Sequence, residues 1–309
     1  MASTTNFNFV NVFPKFPVQS KPIPLPNLTF PVPGGFCCCY KQHLSNSSSS
    51  SITQVQEGRR SIRSSPVSMF SDDLVIHDYC VAAAAGATAL FLLWFWGQVA
   101  KQGVFDQKLN RKFVHITIGL VFMLFWPLFS SRPEAAILAA LIPGVNIIKM
   151  LLLGLGVYKD EATVKSMTRF GDHRELLKGP LYYATTITLA SIIYWRSSPI
   201  PIAAICNMCA GDGMADIIGR RFGKHKLPYN KDKSFMGSIA MVGFGFMACI
   251  GYMLYFSAFG LIDESWNLSL QFFIVSLASA LVESLPISSD LDDNLTVPLT
   301  SFLVGTLLF

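Results

Sequence analysis

Charge is scarce in this 309-residue sequence: 14% of its residues are Asp, Glu, Lys or Arg, against 51% that are hydrophobic. Soluble domains carry about 25% charged residues. So little charge excludes a water-facing globule covering this much apolar surface, and makes a bilayer the natural solvent. Cysteine is sparse too. Seven are present, three of them adjacent at 37–39, and no spacing forms a disulfide framework. Cys206 and Cys209 make a CxxC, but without a second ligand pair or a redox context they read as small residues of a buried helix. No internal repeat is visible, which argues against a transporter built from inverted halves. Neither a long basic helix nor a basic-aromatic stripe occurs, so nucleic acid is not an expected partner. A Walker loop is excluded as well. The stretch from Gly219 to Lys224 has only three residues between its glycines, is followed by His225, and comes after an apolar helix rather than a strand.

What is present falls into two regions. Residues 1–68 carry Lys15, Lys21, Lys41, Arg59, Arg60 and Arg63 against one acid, Glu57, with a serine run at 47–51 and prolines between 14 and 33. That composition predicts a disordered, removable organelle transit peptide, and its Ser/Pro richness favours the plastid over the mitochondrion. A disordered cytosolic tail is the competing reading. Residues 69–309 form the membrane domain.

Apolar runs there predict spans at 79–99, 113–130, 134–158, 180–195, 199–219, 236–259, 268–285 and 297–309. Several approach the ~20 residues a crossing helix needs; the fourth and last are short. The expected fold is all-α: a polytopic transmembrane bundle of about seven or eight helices. Alternate links are basic. Lys101, Lys108, Arg111 and Lys112 follow the first span; Arg220, Arg221, Lys224, Lys226, Lys231 and Lys233 follow the fifth; the link after the third is mixed, with Lys159, Lys165, Arg169, Arg174 and Lys178 beside Asp160, Glu161, Asp172 and Glu175. The intervening links are nearly bare. The basic links therefore share one face, the cytoplasmic one by the positive-inside rule, which in a plastid reads as the stroma. Asp290, Asp292 and Asp293 fall on that face too.

The most informative stretch is GDGMADIIGRRFGKHKLPYNKDKSFMGS at 211–238. Asp212 and Asp216 are four apart, hence on one helix face one turn apart. Two close carboxylates repel each other and gain most from a divalent cation such as magnesium, which takes one or two carboxylates plus phosphate oxygens. The competing reading is an ion pair of Asp216 with Arg220. Gly211, Gly213, Gly219 and Gly223 allow close backbone approach to a ligand, or close helix packing. With the cations that follow, these are the parts of a metal–triphosphate site.

This stretch resembles the signature of the polyprenol kinase family, which includes the phytol and farnesol kinases and the catalytic half of dolichol kinase. RKFVHI at 111–116 is similar to the family's early basic-His motif. GVYKDEATVKSMTRFGDHRELLKGPLYY at 156–183 resembles the plant chloroplast phytol and farnesol kinases in particular. LVESLPISSDLDDNLTVPL at 281–299 is similar to the acidic motif of dolichol kinase. The resemblance implies phosphate transfer, usually from CTP, to an isoprenoid alcohol, in a chloroplast membrane with a stromal active face and in the salvage of prenyl alcohols. In that frame Asp212 and Asp216 hold magnesium. Lys224, Lys226 and Lys233 neutralise the nucleoside triphosphate, with Arg220 or Arg221 as a clamp and Gly211, Gly213, Gly223 and Ser234 beside it. His115, one turn from Arg111 and next to Lys112's turn, contacts phosphate or accepts the alcohol proton, unless it is only a hydrogen-bond partner. Glu283, within an apolar span, and Asp292, Asp293 and Asn294 supply a second metal site or the general base, unless the aspartates are a solvated link. The alcohol tail lies in membrane lipid between helices. The alternatives are a cytidylyltransferase acting on a lipid phosphate and, from another class, an anion transporter.

Overall fold

Backbone amides left unpaired in hydrocarbon are costly, so an apolar chain crosses a bilayer as helices or as a closed barrel. The structure, a computed structural model, describes residues 66–286 and 291–309, and these are helical apart from links and one isolated bridge. The expected leader lies outside the described residues except for its last three positions, which open the first helix. Asp290 lies outside them also.

The helices are α1 (Pro66–Gln102), α2 (Gln107–Leu124), α3 (Pro133–Gly154), α4 (Glu161–Met167), α5 (Gly179–Leu189), α6 (Pro199–Cys206), α7 (Gly213–Phe222), α8 (Phe235–Ala258), α9 (Trp266–Ser284) and α10 (Asp293–Leu308). A π-helical turn, Asn207–Asp212, fuses α6 to α7, and another, Ala190–Tyr194, extends α5. Among the described residues six stretches are long and apolar enough to cross a membrane: Asp73–Gln102, Gln107–Leu128, Pro133–Gly154, Pro199–Phe222, Phe235–Ala258 and Trp266–Ser284. The α5 and α10 rods are shorter, as their sequences predict.

Local chemistry sets the ends. Asp106, Asp160, Ser198, Ser234, Ser265 and Asp292 each cap a helix by accepting a backbone amide. Two expected boundaries move for this reason. The Asp106 cap starts α2 at Gln107, so Arg111 and Lys112 lie within the helix rather than in the link before it. The Asp292 cap starts α10 at Asp293, so Asp293 and Asn294 are helical rather than part of an acidic link.

The α6–α7 rod is innermost: 72% of its most apolar stretch is buried, against 11% for that of α1. Around it Phe122, Met123, Trp126, Met208, Met241 and Phe256 form part of one core. Leu90, Trp94, Leu141, Ile148, Leu254 and Leu277 point outward, as a lipid-facing surface requires. At the bundle end away from the basic links, buried Asp78 accepts from the Ser130 amide at 2.7 Å and its hydroxyl at 2.6 Å. There the Arg196 guanidinium donates to the carbonyls of Trp126, Pro127, Phe129 and Ser130.

Candidate active site

Five elements meet at the basic end: the starts of α2, α8 and α10, the π turn with α7, and the end of α9. Asp212, last residue of the π turn, is only 3% exposed. Lys112 of α2 donates to its Oδ2 at 2.8 Å and lies 3.9 Å from Asp216 Oδ2. Asp216 Oδ1 in turn accepts from Arg220 Nε at 2.7 Å, so the competing ion pair does form. Asp216 nonetheless faces the same cavity as Asp212.

Lys233 reaches the site from the link between α7 and α8. That link folds back on itself: Lys226 and Ser234 form an antiparallel bridge, and Leu227 N donates to Lys233 O at 3.1 Å. Asn230 Nδ2 pins it to Ser284 O at 3.1 Å, and the Tyr229 and Ser284 hydroxyls bond at 3.0 Å. Lys233 Nζ then donates to Glu283 Oε1 of α9 and, at 2.9 Å, to Asp293 Oδ2 of α10. Burial would lower the Lys233 pKa, but Asp293 and Glu283 outweigh it and raise it. Burial first, then Asp212, pushes Asp293 up to about 6.

Asp212, Glu283 and Asp293 each offer a carboxylate oxygen, and these lie within 4.8 Å of one another. Asp293 Oδ1 is buried with no hydrogen-bond partner among the described residues. Hard oxygen donors, crowded and incompletely paired, fit a divalent cation such as magnesium.

The cluster floors a polar cavity of about 710 Å³. Lys112, Asp212, Asp216, Arg220, Lys226, Lys233, Ser234, Glu283, Asp292 and Asp293 all line it, as do Gly219 and Gly237. Arg221, Gly223 and Lys224 do not line it, and the two cations are exposed. Gly211 and Gly213 serve packing. A Cβ on Gly213 would lie 2.3 Å from Ile116 Cγ1, so glycine lets α7 lie close to α2. Gly223 closes the end of α7, where a Cβ would lie 2.1 Å from the Gly219 carbonyl.

His115 Nε2 is 2.7 Å from Met208 O and 3.7 Å from Asp212 Oδ2. A carbonyl only accepts, so Nε2 carries the proton and Nδ1 is left as the ring's acceptor. Tyr183 of α5 donates to His115 O at 2.8 Å and sets its ring 4.6 Å from the imidazole. His115, Arg111 and Asn294 line a second, apolar cavity next to the first.

Sequence reasoning counts Lys108, Arg169 and Lys178 only as link charges, yet all three line the polar cavity. Their presence in the 156–183 stretch and beside RKFVHI was the available signal. Ser238, last residue of the 211–238 stretch, also lines it, its buried hydroxyl unpartnered among the described residues.

The chain is 68% identical over 233 residues to "Probable phytol kinase 2, chloroplastic" of Oryza sativa subsp. japonica, covering 75% of this chain and 77% of that protein. It is 63% identical over 241 residues to "Farnesol kinase, chloroplastic" of Arabidopsis thaliana, 78% of each. With "Phytol kinase 1, chloroplastic" of Arabidopsis thaliana it shares 43% over 262 residues, 84% of each. No family model matches, and no solved structure matches.

Proposed function

We infer the function from one premise: the chain belongs to the family of the plant chloroplast phytol and farnesol kinases. It is a phosphotransferase whose acceptor is the hydroxyl of an isoprenoid alcohol. We propose further that the donor is CTP, that magnesium accompanies it, and that the monophosphate feeds prenyl-alcohol salvage. Residues 69–309 are the kinase domain, residues 1–68 the leader that directs it to a chloroplast membrane, and the active face is stromal. The CTP assignment is supported by the resemblance of 211–238 to the family signature.

The observation that carries this reading is the acidic cluster with its two lysines on the floor of the polar cavity. Asp212, the carboxylate shared by that cluster and by the pair with Asp216, would hold the cation together with Asp216; the Lys112 ammonium, within reach of both, supports this, since one cation can serve the pair. When bound, the ion neutralises phosphate oxygens and aligns them. Lys226, Lys233 and Arg220 neutralise the remaining phosphate charge. The Ser234 and Ser238 hydroxyls, at the start of α8, line the same cavity and add donors for phosphate oxygens. The alcohol oxygen attacks the γ-phosphorus, an O–P bond forms, and the bond to the departing nucleoside diphosphate breaks. The alcohol proton passes to the unpartnered Asp293 Oδ1. Such chemistry needs chiefly position and charge neutralisation, and no covalent intermediate.

The test uses membranes holding the chain, an isoprenoid alcohol, and CTP labelled at the α or the γ phosphorus. Label from the γ position is expected in lipid, and Asp212→Asn should lower its transfer by at least about a hundredfold. Label entering lipid from the α position instead would establish cytidylyl transfer and overturn the kinase reading.

A further inference from the structure

The apolar cavity beside the site, about 280 Å³, is walled mainly by α1, α2, α3 and α5, with Met167 of α4 and Asn294 of α10. On α2 the lining residues are Arg111, Val114, His115, Ile118 and Phe122, at the three- and four-residue spacing of one helix face. They run along about eleven residues, or ~16 Å of helix. The neighbouring helices give the cavity the same polarity. Lys149 of α3 and Gly179 of α5 lie toward the basic end, while Ile142, Ile187 and Gly86 lie deep in the bundle. One end is thus charged and the rest apolar.

Two observations tie this space to the acidic cluster. His115 lines it and also approaches Asp212 at 3.7 Å. Asn294, next to Asp293, lines it too; it is 4% exposed, and its Oδ1 has no partner among the described residues. A buried amide oxygen without a donor is unfavourable, so a hydroxyl supplied by a ligand relieves it. Leu90 and Val145 border the cavity and are exposed to the bilayer, leaving a lateral entrance for a lipid chain.

We propose that this groove binds the isoprenoid tail, with the hydroxyl at Asn294 and His115 and with Gly86, Phe122 and Ile187 at its deep end setting the chain length accepted. The proposal rests on the kinase reading and adds to it where the tail lies and what limits it. Gly86 is the informative position. It lines the groove, and a Cβ built on it meets nothing within 4 Å, so a side chain can be added at this point of the wall. In apolar pockets a single methylene is worth roughly 10–200-fold in specificity.

The full-length chain in membranes is assayed with geraniol, farnesol and geranylgeraniol, alcohols of increasing chain length. Gly86→Leu should lower the ratio of kcat/KM for the longest alcohol to that for the shortest by roughly tenfold or more. Gly251→Leu on α8, where a Cβ also meets nothing within 4 Å, should leave the ratio unmoved. An active wild type whose ratio Gly86→Leu does not alter overturns the groove and leaves the kinase reading standing. A wild type transferring phosphate to no alcohol overturns the kinase reading instead. Independently of turnover, a diazirine-bearing farnesol probe should label Ile118, Ile142 or Ile187, with farnesol competing. Labels confined to the outer faces of α8 and α9 would overturn the groove whatever the activity.

Discussion

Lys233 joins Glu283 and Asp293, which without it would be two buried like charges on neighbouring helices. Its raised pKa, caused by those carboxylates against the effect of burial, keeps it an ammonium at neutral pH. Removing one partner of a buried ionic group costs about 3–5 kcal/mol because the remainder stays uncompensated. Lys233→Met should therefore cost about 3 kcal/mol, read as a lower Tm in detergent, and abolish phosphate transfer. Adding Glu283→Gln should restore part of the stability and none of the transfer. Asp216 differs from these. Its nearer partner, Arg220, is half exposed and one turn away, a pair worth about 0.3–0.5 kcal/mol, and Lys112, at 3.9 Å, stays paired with Asp212 when Asp216 is neutralised. Asp216→Asn should leave the Tm nearly unchanged while phosphate transfer collapses; full turnover in that variant would remove Asp216 from the cation site.

At the scale of elements, the approach of α2 to α7 places Lys112 and His115 over Asp212. Gly213→Ala drives a methyl into Ile116, an overpacking worth about 1–3 kcal/mol that pushes the two helices apart. A loss of kcat with little change in alcohol KM is expected, and the double variant with Ile116→Ala should recover most of it. If Ile116→Ala rescues nothing, the contact does not set the geometry. The link before α5 depends on the Asp160 cap of α4, which accepts from Thr163 N at 3.1 Å and pairs with Lys149 at 3.3 Å. Burial alone would raise this carboxyl, but the Thr163 bonds and Lys149 lower it below its ordinary 3.8. A lowered pKa gives stability that is complete above the ordinary value and lost as pH falls through the lowered one. Asp160→Ala should cost about 1 kcal/mol at neutral pH. The wild-type and variant melting curves should converge below pH 3.8, and a constant gap there would rule out the carboxylate as the cause.

For the whole molecule, the links expected to be basic and those expected to be bare should open on opposite sides of the membrane. With Cys37, Cys38, Cys39 and the exposed Cys80 replaced by serine and the other three buried, a cysteine introduced at Lys231 or at Glu264 reports this in sealed vesicles. An impermeant thiol reagent should modify one and spare the other; equal labelling would break the alternation of spans. The expected helices come close to the observed ones because hydropathy, proline and capping side chains act within a few residues of where they stand. Asp106, Ser234 and Asp292 start helices by bonding their own neighbours.

The composition and order of this chain determined that it is an all-helical membrane protein with most of its charges at one end, and that the 211–238 stretch gathers carboxylates, glycines and cations. Asp212 and Asp216 were legible as a pair because four residues of helix bring them together whatever the fold. Only the tertiary structure decided that Glu283 and Asp293 join Asp212, that Lys112 and Lys233 compensate them, and that Arg221 and Lys224 stay outside. Those contacts link α2, α7, α9 and α10 across up to 100 residues of chain. Nothing local records which helix faces will meet. The apolar groove has the same origin, since an empty space between helices belongs to their packing and to none of their sequences.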